Sequence, residues 1–281
     1  MVDPRNRLNE LSNREWLRET KSFWLSQAPP RTALKARHPA TFSERDVERL
    51  IRLFTKPGEL VLDPFLGTGS ALIAARNLGR PSLGLELIPE WAELAQQRVA
   101  EESDPASAGV SAEVRCTDAG AGLMELAEES VDFIVTSPPY WRILRKPPGL
   151  KAQAERVDRG RATHYSENPQ DLGNVPDYDT FLTRLGEVFA ACHRPLRAGR
   201  YLAVIVSDFR HGPRFVLYHA DLAREIETRG FGLKGVTLLL QDNKTLYPFA
   251  IPHAFVSNIH HQYILVFQKP APRKGKSSHA D

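Results

Sequence analysis

Along this chain, apolar residues fall either in short solid blocks or at helical spacing on one face of longer polar stretches. Blocks bounded by Gly, Pro, Asn or Asp read as buried strands, and the spaced stretches read as helices. The pattern predicts strands over 59–62, 82–87, 112–116, 131–136, 201–207, 231–240 and 262–267. It predicts helices over 71–78, 89–99, 178–192 and 219–228, after an earlier one that opens at Ser43. In that first helix Val47, Leu50, Ile51 and Phe54 share a face, and Asp46 stands three residues beyond Ser43 as a variant of the capping box. Lys56-Pro57-Gly58 stops it, Pro89 opens the helix at 89, and Gly79 and Gly230 end two others. Strands alternating with helices imply a parallel sheet covered on both faces, an α/β fold.

Three stretches break this rhythm. Residues 1–34 are polar, with Leu11, Trp16, Phe23 and Trp24 as anchors, and read as an N-terminal arm packed on a core. Residues 142–176 hold Pro, Gly and many charges with little apolar periodicity, and 101–110 reads as a loop. The basic tail, 269–281, reads as frayed. The core domain is therefore placed at 35–268, with 142–176 as a loop insertion.

Composition changes this picture little. A chain of 281 residues can bury an ample core as one large domain or two. Thirty-seven Lys and Arg against 34 Asp and Glu leave a net charge of +3, and charged residues make up 25%, an ordinary globular balance. Any strongly basic site must then be local, and one is present. From 142 to 164 seven basic residues (Arg142, Arg145, Lys146, Lys151, Arg156, Arg159, Arg161) face only Glu155 and Asp158. Cys116 and Cys192 are too few for a disulfide framework or a four-thiolate zinc site, so a cytoplasmic home is expected. No apolar stretch is long enough to span a bilayer, and the N-terminus has no apolar signal core. No His/Cys ligand cluster suggests a metal, and His260-His261 reads as strand-end structure.

Two motifs carry chemistry. The first runs from Asp63 through Pro64, Phe65, Gly67 and Gly69 to Ser70, a strand end, a glycine turn and a helix start. Glycines admit a ligand close to the backbone, and the helix start offers free N–H groups. Glu86 ends the next strand 23 positions after Asp63, a spacing suited to a carboxylate that accepts from ribose hydroxyls. The third glycine of a dinucleotide fingerprint is missing, since position 72 is Leu, and no Walker lysine follows. The second motif, Thr136-Ser137-Pro138-Pro139-Tyr140, leaves a strand end. Its two prolines stiffen the loop and remove two donors, leaving carbonyls beside a hydroxyl and an aromatic face. That set suits an amino group on a flat base.

Together these motifs resemble the amino-group DNA methyltransferases, the cytosine-N4 and adenine-N6 enzymes, and the form of the second motif most resembles the cytosine-N4 members. The likeness covers roughly 35–268. His38, Pro39 and Phe42 resemble the segment flanking the methionine part of the cofactor, and 261–267 resembles the last strand, where Gln262 stands in place of the more usual Glu. The resemblance implies a Rossmann-like fold, a seven-stranded, mostly parallel sheet with a reversed last strand, and S-adenosylmethionine as cofactor. It implies that Gly67 and Gly69 pass the methionine part, that Glu86 binds ribose, that Asp118 takes the adenine amino group, and that Phe65 and Ile88 pack on the rings. Ser137, with a carbonyl of Ser137 or Pro138, would accept from the target amino group, and Tyr140 would stack on a flipped-out base, with Trp141 assisting or packed in the core. Double-stranded DNA is the implied partner, met by Arg142, Arg145, Lys146, Lys151 and Arg156. A cognate restriction endonuclease, as in a restriction-modification system, is a second candidate. Alternatives stay open: adenine-N6 methylation, methylation of an RNA base, or an inactive nucleic-acid-binding subunit. Ser137 argues against the first, and the intact glycines and 137–140 motif against the last.

Overall fold

The computed structural model describes residues 2–38, 42–142, 166 and 168–271. The chain opens with α1 (Asn13–Glu19), β1 (Phe23–Leu25), α2 (Ala33–Ala36) and α3 (Glu44–Phe54). The units β2 (Val61–Asp63), α4 (Ser70–Asn77), β3 (Ser82–Glu86), α5 (Pro89–Glu102), β4 (Ala112–Cys116), α6 (Ala119–Glu125) and β5 (Val131–Thr136) follow. Beyond the insertion come α7 (Tyr178–His193), β6 (Leu196–Val206), the short hairpin β7 (Phe209–His211) and β8 (Arg214–Val216), α8 (Tyr218–Thr228), β9 (Gly232–Leu240) and β10 (His261–Gln268).

The main sheet has the order β1-β9-β10-β6-β5-β2-β3-β4. Neighbours from β6 through β4 run parallel, and β10 alone is reversed, antiparallel to both β6 and β9. This is the expected seven-stranded arrangement with a reversed last strand. An eighth strand, β1, extends it by pairing parallel with β9. The arm is thus part of the sheet. Strand alternation decides which anchors it buries: Trp24 points inward, while its neighbour Phe23 is half exposed, contrary to its expected role. Arg49 of α3 lies over the Trp24 ring at 3.9 Å, and Asp46 accepts from Ser26 and the Gln27 N–H, which seals the arm to α3.

Most elements fall where the apolar pattern places them. The Ser43 side chain caps α3 by accepting from the Asp46 N–H, and Val47, Leu50, Ile51 and Phe54 are buried. The exceptions have local causes. β6 begins at Leu196, five residues before its apolar block, because Arg197 and Arg200 at its polar start pair with Asp132 and Glu59. α6 contains two glycines and no clear apolar stripe, so only its N-cap, Asp118, marks it. The 142–176 stretch ends in an ordered turn, Leu172–Asn174, followed by the buried Val175.

Parallel strands with right-handed crossovers open a crevice at the carboxyl ends where the strand order reverses. Here that point lies between β2 and β5, the strands that lead into the two motifs. Gly84 in β3 lets the glycine turn settle against the sheet, since a Cβ there would come within 2.5 Å of the Leu66 side chain.

Candidate active site

A cavity of about 330 Å³ opens at this switch point. Its wall contains His38, Phe42, Pro64, Phe65, Gly67, Glu86, Ile88 and Asp118, together with Ser137, Pro138, Pro139 and Tyr140. The fold therefore brings twelve of the sequence-predicted residues from five segments to one place. Pro39, Arg145, Lys146, Lys151 and Arg156 lie outside the described residues. Arg142, at the edge of the described segment, holds a left-handed backbone at φ 45°.

Glu86 is the hinge of the cofactor side. Its two oxygens accept from the Gly67 and Ile88 N–H groups at 2.8 and 2.9 Å, joining the glycine turn to the start of α5. Burial pushes its carboxyl up to about 7, against the lowering effect of those two N–H groups. Asp118 is half-buried, and one oxygen accepts from the Ala121 N–H at 3.0 Å. The His38 ring meets Trp91 edge-on at 4.7 Å and borders Gly67.

Asp63 and Gly69, also expected on the cofactor side, are not among the residues of the cavity wall. Asp63 is fully buried and accepts from the Thr136 hydroxyl at 2.6 Å and the Phe65 N–H at 3.0 Å. It ties the end of β2 to the end of β5 and so holds the two motifs together. Burial lifts its carboxyl to about 7 as well. Gly69, at φ 81°, is the N-cap of α4, and a Cβ on it would press on Ala95 at 3.2 Å. Its hydrogen therefore serves the packing of α4 against α5.

The second motif is braced by aromatic residues. The Tyr140 hydroxyl accepts from the Ser207 N–H at 2.9 Å, and burial pushes it up to about 12. The Tyr218 hydroxyl donates to the Pro139 carbonyl at 3.1 Å, so this carbonyl is already engaged. Trp141 donates to the Val175 carbonyl at 2.9 Å and packs on Tyr178 and His211, a structural role. Ser137, half-buried, remains in the cavity wall beside Pro138.

Arg31, Trp91 and Asp171 in the wall have no signal in the sequence, while Gln241 and Lys244 belong to the 241–257 loop, which the sequence offers with 210–214 as a second place for DNA contacts. Also in the wall is Gln262, the departure from the family pattern noted above. Gln241 donates to it at 3.1 Å, while the Gln241 oxygen is buried with no hydrogen-bond partner among the described residues.

The N6/N4 DNA methylase family model matches residues 2–97, which include the glycine turn and Glu86 and end ahead of Ser137. Type II methyltransferase M.BglII of Bacillus subtilis is 37% identical over 67 residues, 24% of this chain and 19% of that protein. Type II methyltransferase M2.DpnII of Streptococcus pneumoniae is 31% identical over 88 residues, 31% of this chain and 33% of that protein. The chain thus spans a third or less of the length of these relatives. A crystal structure described as a SAM-dependent methyltransferase from Methanosarcina mazei covers 79% of this chain and 98% of its own, with a TM-score of 0.50 at 14% identity, a likeness of fold alone. The fold is the Rossmann-like fold of the S-adenosylmethionine-dependent methyltransferases, and residues 2–97 of the chain resemble the N6/N4 DNA methylases.

Proposed function

We propose that this protein transfers a methyl group from S-adenosylmethionine to an exocyclic amino group of a DNA base, cytosine N4 before adenine N6. The observation that carries this reading is that one cavity is walled on one side by Glu86 and the glycine turn and on the other by residues 137–140.

The wall suits that cofactor. The Glu86 oxygens each take one backbone N–H, which leaves lone pairs for ribose hydroxyls. Phe65, Ile88 and Trp91 offer apolar surface for a flat ring, and Asp118 an acceptor for its amino group. Arg31 in the wall is a cation suited to the carboxylate of the cofactor. Bound there, S-adenosylmethionine supplies an electrophilic methyl group.

The chain's own task is to make a poor nucleophile reactive. The lone pair of a cytosine amino nitrogen is delocalised into the ring. The Ser137 hydroxyl and a carbonyl of Ser137 or Pro138 accept the amino hydrogens in a geometry that favours a tetrahedral nitrogen. Its lone pair then turns out of the ring plane, and positioning and preorganised dipoles do the rest. Tyr140 bounds the base pocket from a fixed position, since its hydroxyl is anchored to Ser207. Neither cysteine follows a proline, which argues against a covalent adduct to the ring. Ser137, in place of a carboxylate or amide, favours cytosine. The basic stretch that begins at Arg142 would hold phosphates while the base leaves the stack.

Mass spectrometry of nucleosides digested from unmodified DNA after incubation with enzyme and S-adenosylmethionine tests the reading. N4-methylcytosine is the expected product. Ser137→Ala should lower turnover by roughly 100-fold or more with cofactor affinity unchanged. N6-methyladenine would change the base and keep the class, and no modified base would overturn the reading.

A further inference from the structure

The connection between β9 and β10, residues 241–260, carries a surface that this chemistry leaves unused. Large apolar side chains stand in water there: Leu246 at 72% exposure, Ile251 at 70% and Phe255 at 93%, with Tyr247 and Phe249 beside them. The loop does not fold back over them, because its own hydrogen bonds hold its shape. At its base the Gln241 N–H donates to the His260 carbonyl at 2.7 Å. Asn258 accepts from the Tyr247 N–H and donates to the Tyr247 carbonyl, at 3.0 and 2.9 Å. Arg210 of the β7–β8 hairpin donates to the Ser257 hydroxyl at 3.0 Å. Large apolar side chains held out in water by a hydrogen-bonded loop mark an interaction surface.

Position and charge select the partner. The loop starts in the cavity wall, where Gln241 and Lys244 both stand. Asp242 is its one carboxylate, against Lys244 on the loop and Arg210 and Arg214 on the braced hairpin. Apolar side chains flanked by cations at the mouth of a base pocket match a duplex, with phosphates for the cations and base steps for the wedge. We propose that this loop is a wedge for double-stranded DNA. Phe255, supported by Ile251, enters the stack beside the target base and helps it leave, while Lys244, Arg210 and Arg214 hold the backbone. The inference rests on the DNA methyltransferase reading and adds to it the element that opens the duplex.

The test compares the wild type with the double variant Phe255→Ala, Ile251→Ala. Both side chains are exposed, so the fold should survive, which an unchanged S-adenosylmethionine affinity by calorimetry would verify. After the modified base is mapped, methyl transfer is measured on a matched duplex and on the same duplex with the target base mispaired. A mispaired base leaves the stack more readily. The expected result is at least a tenfold loss of rate on the matched duplex and recovery to within about threefold of wild type on the mispaired one. No loss, or equal loss on both duplexes, would overturn the wedge. So would sedimentation showing a wild-type dimer that the substitutions dissociate, since the face would then belong to a second copy of this chain. A wild type that modifies no DNA base would instead remove the methyltransferase reading.

Discussion

Two carboxylates of the same motif region have opposite fates. Asp63 is shut inside the protein, where one oxygen accepts from Thr136 and the Phe65 N–H and the other, also buried, has no hydrogen-bond partner among the described residues. Glu86 spends only part of its capacity, on the Gly67 and Ile88 N–H groups, and faces the cavity with the rest. Without the Glu86 carboxylate the ribose hydroxyls would be buried unpaired, at a cost of about 1–3 kcal/mol. Glu86→Ala should therefore weaken S-adenosylmethionine binding roughly 5- to 150-fold in a calorimetric titration. Glu86→Gln, which keeps one oxygen acceptor, should fall between that variant and the wild type. Identical affinities for all three would take Glu86 out of the site.

Four helices meet behind the glycine turn through Arg98 and its partner Glu44. Arg98 of α5 is 1% exposed and donates to the Thr68 carbonyl at 2.6 Å, to Glu44 of α3 at 2.7 Å and to Glu102 at 2.7 Å. Glu44 also takes Lys35 of α2 and the Ser70 hydroxyl at the start of α4. Burial alone would raise the Glu44 carboxyl, but Lys35 and these hydrogen bonds hold it down at about 2. The clamp thus fixes α2, α3, α4 and α5 to one another behind the turn. Breaking a buried ion pair on one side strands the other charges and costs about 3–5 kcal/mol. Arg98→Ala should lose that much in urea unfolding and should also loosen the cofactor side of the cavity. A loss below about 1 kcal/mol would mean that water replaces the guanidinium without strain.

At the scale of the whole molecule these carboxylates set opposing pH slopes. Asp63 and Glu86 are both held up near 7, above their values in an unfolded chain. Each binds a proton in the folded state that the unfolded state has already released. Their contribution to stability is complete below about pH 4 and is lost as pH rises through about 7. Glu44 is held down, so its contribution is complete above its unfolded value and is lost as pH falls towards about 2. The ligand-free protein should show a melting temperature that declines from pH 5 to pH 8, and Glu86→Gln, neutral throughout, should decline less. Parallel slopes for the two proteins would show that Glu86 is ionised well below 7 in the fold.

Legible along the chain were local features: seven strands of the main sheet and most of the helices between them, the Ser43 cap, and the positions of 63–70, Glu86 and 137–140 at strand ends. Burial of apolar periodicity and the chemistry of caps and turns act over a few residues, so they can be read along the chain. What depends on distant neighbours came only with the folded chain. It turned Asp63 inward to Thr136, 73 positions away, and set Gly69 against Ala95. It drew the arm into the sheet as an edge strand beside β9 and braced Tyr140 through Ser207. It also brought Trp91, Asp171, Gln241 and Gln262 to the same cavity as Ser137, although no spacing links them. A side chain's role is settled by which buried donors and surfaces surround it, and those come from segments that meet only when the sheet closes.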